Sequence, residues 1–408
     1  MKELAKLNRE NLFKEMKEES FLVLFSGEPL HKSADEEYPF SVNRNFYYQT
    51  TIKEPHLILL MEKKEGKEKT TLFIEEADLF YEKWVGKKIS RKEAKAQSGI
   101  QEICYIKEFE ETFLQLAREQ KTLYLDLKEN ESYAIPATKW RKSAKKENPK
   151  LIVKDVYPVI AKLRTVKSKY EVEELKKAIH TTNLGLQNIM KNLKAGNKEY
   201  HAEADFDYIL KTNNTSTSFS TIAASGVNAV TLHYTVNDAD LKNKELLLLD
   251  LGAMNNLYCA DITRTYPING KFTKRQKELY EMVLAIQKQI IAAICPGTTM
   301  AELNQLVIEY YKKELLKKGI IKKEEDYTNY YYHGVSHSLG LDTHDIGLPR
   351  DHKLVAGNVI TVEPGIYIKE EGIGIRIEDD VLVTENGCIN LSAEIIKEVD
   401  EIEAFMEK

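Results

Sequence analysis

The sequence predicts an α/β domain over residues 1–157 followed by an α+β domain over residues 158–408, and three observations lead there. A chain of 408 residues, 42% of them hydrophobic, is too long for a single compact core. Its first part alternates helical and strand-like patterns. In its second part helix-start signals punctuate paired strand-like runs that carry acidic residues.

Taken in order, the charged amphipathic residues 1–19 predict a helix. The runs Phe21-Leu22-Val23-Leu24-Phe25, Leu57-Ile58-Leu59-Leu60-Met61, Thr71-Leu72-Phe73-Ile74 and Leu123-Tyr124-Leu125-Asp126-Leu127 predict strands. A basic stretch from Lys139 to Lys150, with Arg141, Lys142, Lys145 and Lys146, precedes Leu151-Ile152-Val153. With Trp140 as its only stacking group it reads as a solvated segment near the domain junction, not a nucleic-acid patch. Ser168-x-x-Glu171 is a capping box that opens a helix running to about Lys194. Thr273-x-x-Gln276 and Thr299-x-x-Glu302 open two more, the last ending before Gly319.

The acidic residues carry the chemistry. Asp250 follows Leu246-Leu247-Leu248-Leu249, and Asp261 sits in Tyr258-Cys259-Ala260-Asp261-Ile262-Thr263. Both are equidistant from Asn255-Asn256, and Asn tolerates the positive φ of a two-residue hairpin turn. Such a hairpin would set the two carboxylates opposite each other on one face, about 5 Å apart at Cβ. Burying them together is costly without a proton or a cation. The plain alternative, a solvated hairpin with exposed acids, fits poorly, because the four leucines read as a strand buried on both faces. Glu363 and Glu378 repeat the device about Glu370-Glu371, with Pro364 weakening the ladder beside them. Asp250, Asp261, His337, Glu363 and Glu378 together make an oxygen-rich donor set suited to a pair of hard or borderline divalent ions that activate water.

Three of the nine histidines, His333, His337 and His344, fall within twelve residues among glycines and small side chains, as in the lining of a site. His233, in Thr231-Leu232-His233-Tyr234, would by itself more often be a satisfied core histidine than a catalytic one.

Composition excludes other classes. A net charge of −5 offers no general attraction to nucleic acid or to an anionic membrane. Cys104, Cys259, Cys295 and Cys388 form no Cys-x-x-Cys pair, so neither a disulfide framework nor a zinc knuckle is indicated and a reducing cytoplasm is expected. Cys259 reads as a small buried filler near Asp261. The amino terminus lacks a signal-peptide core, no stretch is long enough to span a bilayer, and there is no phosphate loop or dinucleotide fingerprint.

The strings Asp250-Leu251-Gly252-Ala253, Asp261-Ile262-Thr263-Arg264-Thr265, His333-Gly334-Val335-Ser336-His337, Thr361-Val362-Glu363-Pro364-Gly365 and Arg376-Ile377-Glu378-Asp379 closely resemble the pita-bread metallopeptidases. Within that superfamily the chain looks most like the aminopeptidase P family. Phe40 with Phe46-Tyr47-Tyr48 resembles its amino-terminal signature, and the tail from Asn390 to Ala404 is also similar. Thr51 stands where relatives often have glycine, and the connection from Glu363 to Glu378 looks shorter than in many of them.

The resemblance implies a curved antiparallel sheet backed by helices, with the metals in its concave face. It implies two divalent ions, Mn²⁺ above Co²⁺ or Zn²⁺, with Asp261 and Glu378 shared, Asp250 completing one sphere and His337 with Glu363 the other. Glu363 would accept the proton of the attacking water. His333 and His344 would bind the carbonyl oxygen or pass a proton to the leaving nitrogen, and His233 and Arg376 would position substrate and carboxylates. The implied substrates are peptides with proline in second position, and the implied assembly is a homodimer or homotetramer. A prolidase, restricted to X-Pro dipeptides, shares the ligand set. A creatinase-like hydrolase would do without the metals. A binding protein on the same scaffold would have lost ligands that this chain retains.

Overall fold

The computed structural model describes residues 1–80, 82–128, 135–347 and 349–407, and of residues 135 and 136 the backbone alone. The chain divides into two compact units, Met1–Leu163 and Arg164–Lys408. The division lies beyond the junction expected after residue 157, because the helix Tyr157–Thr165 starts there and belongs mainly to the first unit.

The first unit is built on a six-stranded sheet in the order Glu102–Tyr105, Lys67–Ile74, Ile58–Lys64, Ser20–Phe25, Thr122–Leu125 and Ile152–Asp155. Ser20–Phe25 pairs antiparallel with Ile58–Lys64 and parallel with Thr122–Leu125, so the sheet is mixed. The hairpin Ile58–Lys64/Lys67–Ile74 explains the antiparallel part, and helical crossovers explain the parallel part. Much of the basic stretch lies in the helix Ile135–Glu147, which turns Trp140 edge-on against Phe109 and Phe113, ring centroids 4.8 Å apart in each case. The one ring that could have stacked on a base is therefore used by the core. Thr51 caps the helix Arg44–Thr50 in the left-handed region, φ 58°.

In the second unit the helix signals are realised as Lys169–Asn192, Lys274–Ala293 and Met300–Lys317. Thr273 and Thr299 make both bonds of the capping box, and the Ser168 amide donates to Glu171 Oε2 at 2.8 Å. Strands Ile222–Ser225, Leu246–Leu251 and Ile262–Pro267 form one antiparallel sheet. Val359–Val362, Asp379–Thr384 and Gly387–Asn390 form another, and Gly365–Ile368 pairs with Ile373–Arg376. The Glu378 amide donates to Thr263 O at 3.0 Å, which brings the two acid-bearing regions side by side. The three helices contribute Leu186, Leu279, Val283, Leu303 and Val307 to the core that also buries Leu247, Leu249 and Ile262. Strands backed by helices are the arrangement that the resemblance implied.

Candidate metal centre and active site

Leu246–Leu249 are fully buried, as a strand covered on both faces requires. The first hairpin differs from expectation in register. Its turn is Asn256-Leu257, both at positive φ (46° and 65°), not Asn255-Asn256. Asp250 consequently faces Thr263 and not Asp261. The cause is tertiary: Nδ2 of Asn255 and Nδ2 of Asn256 both donate to Glu174 Oε2, at 2.5 and 2.9 Å, and hold the turn one residue further along. A register displaced by two keeps every side chain on its face, so Asp261 stays on the side of Asp250 as a diagonal neighbour. Between them Gly252 passes so close to Ala260 that a Cβ there would lie 1.8 Å from the Ala260 carbonyl oxygen.

The second pair follows the expected register. Gly365 pairs with Arg376 and Val362 with Asp379, which places Glu363 opposite Glu378 at the gap between two stretches of one ladder. Pro364 sits in that gap without an N–H to donate, while its carbonyl accepts from Ile377 at 3.3 Å. The turn is a short 3₁₀ segment, Lys369–Glu371, closed by left-handed Gly372. Opposite the ladder, His337 N donates to Thr361 Oγ1 and Thr361 N to His337 O, at 3.1 and 3.0 Å.

These backbones bring donor atoms of Asp261, His337 and Glu378 within 4.8 Å of one another. His337 Nε2 lies 3.3 Å from Asp261 Oδ2 and 3.5 Å from Glu363 Oε1. Its Nδ1 donates to Ser338 O at 3.1 Å, which leaves Nε2 facing the acids. Asp250 stands beside this trio: Oδ2 accepts from Arg376 Nη2 at 2.5 Å, and Oδ1 is buried with no partner among the described residues.

The electrostatics point to missing positive charge. Burial, and after it the neighbouring acids, pushes the Glu378 carboxyl far above the usual carboxylate range. Burial also raises Asp250 and Glu363, against the pull of Arg376 on the first and of His337 on the second. Burial would lower His337, but the Asp261 bond and the charges of Glu363 and Asp261 hold it at about 9. Oxygen donors that cannot all ionise, one orphaned carboxylate oxygen and one oriented imidazole fit divalent cations.

Arg376 is the hinge of the surrounding bonds. Its Nε donates to Thr263 Oγ1 at 3.0 Å and its Nη1 to the Tyr367 hydroxyl at 3.1 Å. That hydroxyl meets His333 Nε2 at 2.8 Å, and His333 Nδ1 meets Gly334 O at 2.8 Å. The donors run in one direction, Arg376 to Tyr367 to His333 to Gly334, so His333 is neutral and both its nitrogens are engaged. Burial, then the charge on Arg376, lowers it to about 4. His344 is exposed and meets the His337 ring edge to face, centroids 4.5 Å apart. His233 is also exposed and near enough to His344 for its charge to be felt there.

Sequence reasoning missed Thr263 and Tyr367. Thr263 Oγ1 also donates to Glu378 Oε2 at 2.6 Å, orienting a ligand-bearing carboxylate. Its signal was present: it lies two residues after Asp261 and so on the same face of the strand. Nothing in the sequence marked Tyr367. Asp380, two residues after Glu378, was missed as well, and its Oδ2 accepts the Asp261 amide at 3.2 Å.

Residues 173–385 match the model of metallopeptidase family M24, and residues 5–124 match that of the aminopeptidase P N-terminal domain. The Xaa-Pro aminopeptidase of Haemophilus influenzae is 35% identical over 99% of this chain and 97% of its own length. That of Escherichia coli is 33% identical over 98% and 96%. Among solved structures, a Bacillus anthracis protein provisionally described as an aminopeptidase P is 45% identical, with a TM-score of 0.95 over 99% of this chain and 98% of that one. Zinc-substituted E. coli aminopeptidase P in complex with product is 32% identical, with a TM-score of 0.92 over 100% and 98%. No helix among the described residues is long and apolar enough to cross a membrane. This chain therefore belongs to metallopeptidase family M24, to whose catalytic fold it joins the aminopeptidase P N-terminal domain.

Proposed function

We propose that this protein is an Xaa-Pro aminopeptidase that releases the first residue from peptides with proline in second position, using two divalent ions held by Asp250, Asp261, His337, Glu363 and Glu378. The observation that carries the reading is the convergence of Asp261, His337 and Glu378, in a chain that matches Xaa-Pro aminopeptidases along nearly its full length. Mn²⁺ is the preferred occupant of so carboxylate-rich a set, with Co²⁺ and Zn²⁺ as substitutes. A homodimer or homotetramer working in the cytoplasm completes the proposal.

When bound, the ions lower the pKa of water and polarise the scissile carbonyl. The chain's own groups do the rest. Glu363, against His337 Nε2 and with its carboxyl already raised, accepts the proton of the attacking water and returns it. Arg376 holds Asp250 by one oxygen and leaves the other, buried and unpartnered among the described residues, free to take an ion. In this reading His344 passes a proton to the leaving nitrogen and His233 holds the substrate; the exposure of both and the contact of His344 with the His337 ring support it. His333 shapes the wall, and it binds the carbonyl oxygen only when Tyr367 releases its Nε2 and that nitrogen takes up a proton to donate. The X-Pro nitrogen carries no hydrogen, so a peptidase that recognises the ring in place of an N–H gains selectivity.

The test is hydrolysis by metal-stripped protein with Mn²⁺ restored, comparing an X-Pro-Y tripeptide with an X-Pro dipeptide, with Asp261→Ala as control. Metal-dependent release of the first residue from the tripeptide, lost in the variant, is the expected result. Cleavage of the dipeptide alone would mean a prolidase. No cleavage with any divalent ion would leave a binding protein on this scaffold.

A further inference from the structure

Glu199 opens the helix Glu199–Thr212, far from the metal ligands in sequence, and is completely buried. A carboxylate in that position needs a full set of donors. It has five. Oε1 accepts from the Ser225 amide at 2.7 Å, the Ser225 hydroxyl at 2.8 Å and Asn228 Nδ2 at 3.1 Å. Oε2 accepts from the Tyr234 hydroxyl at 2.9 Å and the Ala239 amide at 3.0 Å.

The origin of those donors gives the arrangement its meaning. Ser225 ends a strand of the catalytic sheet, Ala239 lies where the chain returns, and Asn228 and Tyr234 lie on the loop between them. That loop carries His233, next to Tyr234. Asn228 Nδ2 also meets the Tyr234 hydroxyl, at 3.0 Å, so the two are tied to each other as well as to Glu199. Beneath the loop, Gly374 admits it so closely that a Cβ there would lie 2.1 Å from the Ala229 carbonyl oxygen. Asn237, at φ 51°, pins the returning limb through Thr221 O at 2.8 Å and Glu203 Oε2 at 2.9 Å. Both feet and the residue beside His233 are thus fixed, while His233 itself stays exposed.

We infer that Glu199 is a positioning residue: it draws both ends of the His233 loop and Tyr234 onto one buried carboxylate and so sets where the His233 ring stands relative to the substrate. The inference rests on the substrate-holding role proposed for His233. Closing the loop would require only its two feet to be bonded. The bond to Tyr234 adds a fixed direction for its neighbour, and misplacing a substrate-holding group by about 1 Å is enough to cost up to ~100-fold in rate.

A double-mutant cycle on the Mn²⁺-loaded full chain tests this, with kcat/KM on an X-Pro-Y tripeptide and metal content per chain as readouts. His233→Ala and Glu199→Gln are each expected to lower kcat/KM by at least roughly tenfold, with metal content unchanged. In the His233→Ala background, Glu199→Gln is expected to add less than about twofold, because the group it positions is already gone. The same factor in both backgrounds, or wild-type kcat/KM for Glu199→Gln alone, overturns the inference and leaves the His233 role standing. A silent His233→Ala overturns both. Should Glu199→Gln fail to fold, Tyr234→Phe removes one hydroxyl only and goes through the same cycle, where an additive effect is equally fatal.

Discussion

Replacing Thr263 by valine removes a fully buried hydroxyl and keeps the branched shape of the side chain. That hydroxyl donates to Glu378 Oε2 at 2.6 Å and accepts from Arg376 Nε at 3.0 Å, so the change strands a buried carboxyl and a buried guanidinium at once. Taking about 1 kcal/mol for the bond to the carboxyl, which burial keeps protonated, and about 2 kcal/mol for the bond to the charged guanidinium, the loss in the metal-free protein comes to about 3 kcal/mol. Arg376 keeps its bonds to Asp250 and Tyr367, which argues against the upper end of the range. For a domain of this size each kcal/mol moves the midpoint by about 2–4 °C, so the melting transition of the catalytic unit should fall by about 6–12 °C. Glu378 would also lose the bond that aims it, and divalent-metal affinity should drop by about 10–100-fold. Calorimetry of the metal-free protein with a Mn²⁺ titration measures both. A midpoint within about 2 °C of wild type together with unchanged metal affinity would refute the reasoning, since the hydroxyl would then be orienting nothing.

Other outcomes follow from the same contacts. The folded metal-free site binds protons more tightly than the unfolded chain, since burial raises Asp250, Glu363 and Glu378. Its stability should therefore fall as pH rises above the ordinary carboxylate range of about 4, and the gap in melting temperature between metal-loaded and metal-free protein should widen. A gap that narrows over that interval would contradict the assignment. Arg264→Met breaks a 2.6 Å ion pair with Asp379, both groups fully buried, and should cost about 3–5 kcal/mol in urea unfolding. Arg264→Lys should rescue little of it, because the planar fork also holds the carbonyls of Ile395 and Glu378. Thr51→Gly, at a β-branched residue held at φ 58°, should stabilise the first unit by about 0.5–1 kcal/mol, once the greater chain freedom of glycine is set against the relieved strain.

Features set by local chemistry were readable in advance. Thr273 and Thr299 announced their helices because a capping box is completed within four residues. Glu363 and Glu378 could be paired by counting outward from Glu370-Glu371, since an antiparallel register is arithmetic once the turn is known. The first hairpin shows where counting fails. Leucine at positive φ is a poor candidate for a turn, and only the Glu174 carboxylate, reached through a distant helix, makes Asn256-Leu257 the turn. The hydroxyl of Tyr367 and the buried carboxylate of Glu199 were illegible for the same reason: Tyr367 meets His333 and Glu199 meets Ser225 across more than twenty-five residues of sequence, and neither residue type is unusual where it stands.

The ladder through Glu363 and Glu378 is fixed on both sides of its gap, and on its flank by the amide of Glu378 on Thr263 and by Thr265 Oγ1 on the Arg376 carbonyl at 3.1 Å. The turn at Lys369–Gly372 has an anchor of its own, Glu371, whose two carboxylate oxygens accept from Arg275 at 2.8 and 2.6 Å. Evolution and the protein engineer can consequently lengthen or trim this tip at the expense of that ion pair alone, while the acids beneath it keep their places. The acids and the tip that joins their strands are separately adjustable parts of the same hairpin.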